Sequence, residues 1–75
     1  MKWQARIYRG GEAAKLPVDG ANNPDEVFAD VVRFLKTMAG ALSFEKAKTP
    51  SEFNKSTRFR KINGVSYAII IEQTG

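Results

Sequence analysis

The 75-residue chain contains no cysteine and no histidine. Without cysteine there are no disulfides, and without either residue there is no zinc-finger ligation, so the usual staples of a very small domain are missing. Nucleophilic catalysis by a Ser-His or Cys-His arrangement is excluded on the same ground, and no Ser-Lys pair stands out among the ordinary serines. The expectation is a non-enzymatic protein stabilised by packing. Long apolar runs are lacking too: the longest is Tyr67-Ala68-Ile69-Ile70-Ile71, far short of a membrane span, and the N-terminus does not have the charged-then-apolar layout of a secretory signal. A cytoplasmic location without membrane association is expected.

Acidic residues concentrate in one place only, at Asp19, Asp25, Glu26 and Asp30, and their spacing matches no calcium loop. They read as electrostatics at a helix terminus, so no metal site is expected. Gly10-Gly11 lies between two strand-like stretches and leads into no helix, which makes it a turn rather than a phosphate cradle. No cofactor is expected.

Hydrophobic residues make up 43% of the chain and charged residues 27%, with five Phe, two Tyr and one Trp. That is too much core material for a disordered chain, and 75 residues suffice for a single domain over 1–75. From Lys2 to Arg9, Trp3, Ala5 and Ile7 alternate with Lys2, Gln4, Arg6 and Tyr8, the period-2 pattern of a half-buried strand. A hairpin turn at Gly10-Gly11 sets Arg9 opposite Glu12, Ile7 opposite Ala14, Ala5 opposite Leu16 and Trp3 opposite Val18, so apolar residues meet apolar residues. Pro17 marks the second strand as an edge.

Asn23 followed by Pro24, Asp25 and Glu26 predicts a helix start: a cap, a proline at the first helical position and carboxylates in the positive first turn. Val27, Phe28, Val31, Phe34, Leu35 and Met38 then follow at helical spacing, with Gly40 placed to close the last turn and Asp30, Arg33 and Lys36 on the polar side. The expected core sets these apolar residues on Trp3, Ala5, Ile7, Leu16 and Val18. Residues 41–55 are open to an extra short strand, which would turn Leu42 and Phe44 inward, or to a helical turn starting at Thr49-Pro50-Ser51-Glu52.

Residues 57–62 and 65–72 flank Asn63-Gly64, a strong hairpin signal. Its register pairs Ile62 with Val65, Arg60 with Tyr67, Arg58 with Ile69 and Phe59 with Ala68. If Arg58 and Arg60 point away from the helix, Phe59, Ala68 and Ile70 fill the core; if they point toward it, Val65, Tyr67, Ile69 and Ile71 do. The outward choice is preferred, because an unpaired charge under the helix is costly. Either way the last strand is apolar on both faces, so it should be central or covered by a partner.

The expected fold is therefore α+β: one helix on one face of a four-stranded antiparallel or mixed sheet, in ββαββ order. In the order of its elements this resembles the β-grasp arrangement of ubiquitin-like and immunoglobulin-binding domains. The chain ends in Thr74-Gly75 rather than Gly-Gly, so the resemblance implies no conjugated-modifier role.

Residues 1–18 carry four basic and one acidic side chain, residues 19–39 two basic and four acidic, and residues 40–75 six basic and three acidic. An acidic helix and basic strands predict positive potential on the open sheet face. On the preferred register that face gathers Arg6, Tyr8 and Lys15 with Arg58, Arg60 and Tyr67, and the 46–61 segment adds further positive charge. The Ile69-Ile70-Ile71 run must expose an apolar side chain if only one face is covered, which adds Ile69 to the candidate binding residues. Arginine and tyrosine around an apolar patch suit a protein interface, with a separate partner or with a second copy in a homodimer. The same cations and rings suit single-stranded nucleic acid as the alternative, although no RNP-type Gly-aromatic motif is present.

Overall fold

The computed structural model describes residues 2–48 and 57–74. The chain runs β1 (Lys2–Arg9), β2 (Glu12–Asp19), α1 (Pro24–Met38), a single 3-10 turn (Ala39–Ala41), β3 (Glu45–Lys46), β4 (Arg58–Ile62) and β5 (Val65–Gln73). One helix packs against one antiparallel sheet ordered β3-β2-β1-β5-β4. There are five strands rather than the expected four. The additional one, β3, falls within residues 41–55 and pairs with Glu12 and Ala13, so among the described residues the part of β2 that holds Pro17 is an edge. Because β3 interrupts the ββαββ order, the β-grasp resemblance that rested on that order does not carry over. The helical turn considered at residues 49–52 lies outside the described residues.

Both hairpins adopt the register expected of them. Trp3↔Val18, Ala5↔Leu16, Ile7↔Ala14 and Arg9↔Glu12 pair in the first, and Arg58↔Ile69, Phe59↔Ala68, Arg60↔Tyr67 and Ile62↔Val65 in the second. In the second turn Asn63 and Gly64 both take positive φ (51° and 81°), the signature of a type I′ hairpin whose twist matches its strands. In the first, only Gly10 does (60°), as a type II′ turn requires. The start of α1 is also as read: the Asn23 side chain accepts a hydrogen bond from the Glu26 amide at 3.0 Å. Glu26 reaches back to accept from the Asn22 amide at 2.8 Å, so one orphan donor of the first turn and the chain's approach to the helix are both tied down.

The core lies between α1 and the sheet. Val27, Val31 and Leu35 form a buried stripe at four-residue spacing, set on Trp3, Ala5, Ile7, Val18, Tyr67 and Ile69. Trp3 donates its indole N–H to the Ala21 carbonyl at 2.9 Å, which fixes the β2–α1 connection over the end of the sheet. Leu42 and Phe44 are half-buried against this core, although they precede β3 rather than lying in it. Two expected core residues are elsewhere. Phe34 is only half-buried and is not part of the cluster, while Met38 is 54% exposed. The stripe is centred on the Val31–Leu35 line, so Phe34 falls at its margin, and Met38 belongs to the last helical residue before the chain tightens into the 3-10 turn. That turn, rather than a glycine with positive φ at Gly40, ends the helix.

The preferred face of the second hairpin is corrected. Tyr67, Ile69 and Ile62 lie in the cluster under α1, whereas Ala68 and Ile70 join Tyr8 and Ala13 in a smaller cluster on the opposite sheet face. Arg58 and Arg60, which alternate with Phe59, therefore stand on the helix side. The objection to charge beneath a helix does not apply, because β4 is the outermost strand and its arginines lie beside the helix rather than under it. Pairing of β5 with β1 sets Ile69 opposite Ile7 and Ile71 opposite Ala5, so the apolar face of β1 that α1 covers takes Tyr67 and Ile69 with it. Phe59, the core residue of the rejected alternative, is 65% exposed.

Candidate functional site

The face turned away from α1 carries Arg6, Tyr8 and Lys15, as expected. Of its apolar members Tyr8, Ala68 and Ile70 are at most 9% exposed, whereas Phe59, paired with Ala68 at the β4 margin, is 65% exposed. Arg6 is engaged within the face: it donates to Glu72 at 2.6 Å and to the Tyr8 hydroxyl at 3.3 Å, and its Nε is buried without an acceptor. The guanidinium is held by these neighbours, although the side chain keeps 35% of its exposure. Lys15 is exposed and lines a depression of about 570 Å3 with Arg6, Tyr8, Ser43, Glu45 and Lys46, where Glu45 offsets part of the positive charge.

The remaining sequence candidates are not on that face. Ile69 is fully buried in β5, an inner strand flanked by β1 and β4, and Tyr67 is 5% exposed beneath α1. Neither can touch a partner, and neither tyrosine offers a free ring for base stacking. The positive face inferred from the segment charges is corrected as well. Arg9, Arg58 and Arg60 all point to the helix side, Arg9 with its guanidinium 3.9 Å from the centroid of Phe44.

Charge and exposed apolar surface instead come together along β4. Its helix-side arginines flank the Phe28 ring, Arg58 at 5.1 Å and Arg60 at 5.2 Å from the centroid, so cationic edges frame an apolar floor contributed by α1. Each such contact contributes about 0.5–1 kcal/mol at an exposed site. Arg58 is also tied to Asp25 in the first turn of α1 at 2.8 Å. Asp25 is 85% exposed, so this pair orients the arginine more than it stabilises the fold. Among the described residues Arg60 has no acidic partner. Between α1 and β4 a groove of about 400 Å3 is lined by Phe28, Ala29, Val32, Arg33, Lys36 and Arg60. Arg33 lies 3.5 Å from Asp30, whereas Lys36 has no ion pair among the described residues. On the other side of the same strand stand Phe59 and Lys61, which share a depression of about 460 Å3 with Tyr8, Ser66 and Ala68.

Sequence reasoning placed Phe28 in the core, Arg33 and Lys36 on a polar helix face, and Phe59 inside on the preferred register. A signal was nevertheless present. Three cations in the five residues of β4 are what an edge strand carries, and an edge strand beside a helix must leave a groove between them. Among the described residues no helix is long and apolar enough to cross a membrane, and no group of three or more acidic side chains could hold a metal ion. No protein-family model, curated protein or solved structure matches this chain.

Proposed function

We propose that this chain is a small non-enzymatic protein-binding module whose recognition surface is the β4 margin, with Arg60 and Lys36 on the helix side and Phe59 and Lys61 on the other. The observation that carries the reading is the meeting of cations with apolar surface at one sheet margin: among the described residues Arg60 of β4 and Lys36 of α1 have no acidic partner, while Phe59 is 65% exposed. Arginine and aromatic side chains at the centre of a patch are what protein interfaces use as anchors. The alternative, single-stranded nucleic acid, needs rings open to bases as well as cations; both tyrosines named for that role are buried, and at this margin the exposed ring is that of Phe59.

The test is variant-dependent capture. The immobilised chain is exposed to a nuclease-treated extract of its own cells, beside Arg60→Glu at the β4 margin and Lys15→Glu on the far sheet face. The expected result is a protein retained by the wild type and by Lys15→Glu but reduced at least about tenfold by Arg60→Glu, corresponding to 1.4 kcal/mol or more, with unchanged melting temperatures. Loss on Lys15→Glu alone would move the site to the far face. Binding abolished by nuclease would favour the nucleic-acid alternative.

A further inference from the structure

We infer that the α1–β4 groove receives an acidic amphipathic helix of a partner protein, which lays its apolar stripe on Phe28, Ala29 and Val32 and sets carboxylates against both walls. The inference rests on the protein-binding reading above and specifies the partner's chemistry and conformation. Shape is the first support. Along α1 the groove runs from Phe28 to Lys36, about 12 Å or two helical turns. Phe28 and Val32 are half-buried against the core and Ala29 is exposed, so an apolar strip remains accessible beside the helix. The anchors of a docked helix recur at i, i+3 or i+4 and i+7, which over two turns matches the length of this strip.

Charge is the second support, and it flanks that strip on both sides. Arg33 and Lys36 rise from the α1 wall and Arg60 from the β4 wall, and no acidic side chain is among the described residues lining the groove. Lys36 and Arg60 have no ion pair among the described residues, and the contact of Arg33 with Asp30 is an exposed pair of small worth. A helix with glutamates on both flanks of its apolar stripe complements this order of cation, apolar floor and cation. A second copy docked groove to groove would instead bring three cations against three, which disfavours it.

The helical form follows from where backbone groups find partners. A segment that enters an apolar groove must have its amides and carbonyls hydrogen-bonded. The α1 wall offers none, since the backbone groups of its middle turns bond one another. A helix carries these bonds within itself and needs only side-chain contacts from the groove. A nucleic-acid strand would find the same cations, but between them it would meet the aliphatic Ala29 and Val32. The ring of Phe28 is flanked by two guanidinium groups instead of open to a base.

The test uses the full chain, isotopically labelled, and a peptide of about four helical turns held helical by a hydrocarbon staple on its outward side. Leucines occupy one face at i, i+3, i+4 and i+7, with glutamates along both flanks. Its addition is expected to shift the amide resonances of residues 28–36 and Arg60 while leaving that of Lys15 in place, and the affinity should fall as salt rises. Affinity should drop at least about tenfold when lysines replace the glutamates, when the same leucines are scattered around the helix, when a central proline replaces the staple, and in the Lys36→Glu/Arg60→Glu variant. Ala29→Glu keeps the fold, because an exposed helical position accepts glutamate readily, and should weaken binding about tenfold through the floor alone. Equal affinity of the lysine or scattered-leucine peptide would overturn the match of charge and stripe, and equal affinity of the proline peptide would overturn the helical form. Absence of any shift, shifts confined to the far sheet face, or tighter binding of an oligothymidylate at the same residues would each overturn the inference. If the capture experiment localises a protein partner to Arg60 while the peptide fails, the protein-binding reading stands and helix docking falls. If capture itself is insensitive to Arg60→Glu, the reading beneath it falls.

Discussion

The Gly10-Gly11 pair shows how much a single backbone angle decides. Gly10 has φ of 60°, a conformation in which a Cβ meets the following carbonyl, whereas Gly11 does not take positive φ and has open space where a Cβ would stand. Gly10→Ala is therefore expected to cost about 1–2 kcal/mol, and Gly11→Ala to stabilise by about 0.5 kcal/mol through the loss of freedom in the unfolded chain. Chemical denaturation of the two variants checks the contrast, and equal destabilisation would contradict this turn geometry. The residue pair itself was legible as a turn, since two glycines between alternating stretches admit few other readings. Whether Gly11 also needs positive φ was not, because type I′ and type II′ turns both require it at the first central residue and only type I′ requires it at the second.

At the scale of the elements, the helix and the first hairpin were readable because two independent periodicities agree. The stripe of α1 and the alternation of β1 and β2 each define one apolar face, and the Asn23 cap and Trp3 anchor then set their mutual position. The second hairpin gave its register but not its buried face, since Tyr67–Ile71 is apolar on both sides and alternation cannot choose between them. Tertiary context chose: Tyr67, Ile69 and Ile62 pack beneath α1, and the arginines between them emerge at the margin. The margin of the helix stripe was equally hard to see. Leu35 is 2% exposed in the cluster, so Leu35→Ala should cost about 2–5 kcal/mol and bring so small a domain close to unfolding at ambient temperature. The neighbouring Phe34, only half-buried, should cost about 1 kcal/mol on the same change, roughly half the value of full burial. Thermal melts of both variants decide it. A larger loss for Phe34→Ala would mean that the helix is rotated on the sheet.

Over the whole molecule, charge is arranged differently from its arrangement along the chain. Segment by segment the strands are basic and the helix acidic, yet strand alternation sends Arg9, Arg58 and Arg60 to the helix side and leaves Arg6 neutralised by Glu72 on the far face. Net charge per segment is visible in a sequence, but the side from which it acts depends on a burial choice made in three dimensions. Two of the seven candidate residues were lost for that reason, as Tyr67 and Ile69 went into the core, while Arg60 stands on the helix side with Lys36 and Phe28 as neighbours. The β4 margin thus becomes the place where unneutralised charge, apolar surface and an edge strand coincide. Everything argued about binding depends on the arginines of β4 standing beside α1. Nuclear Overhauser contacts from the side-chain protons of Arg58 and Arg60 measure this directly. The account predicts cross-peaks to the ring of Phe28 and, for Arg60, to Val32 or Lys36; cross-peaks from either arginine to Tyr8 or Ile70 on the opposite face, with none to Phe28, would contradict it.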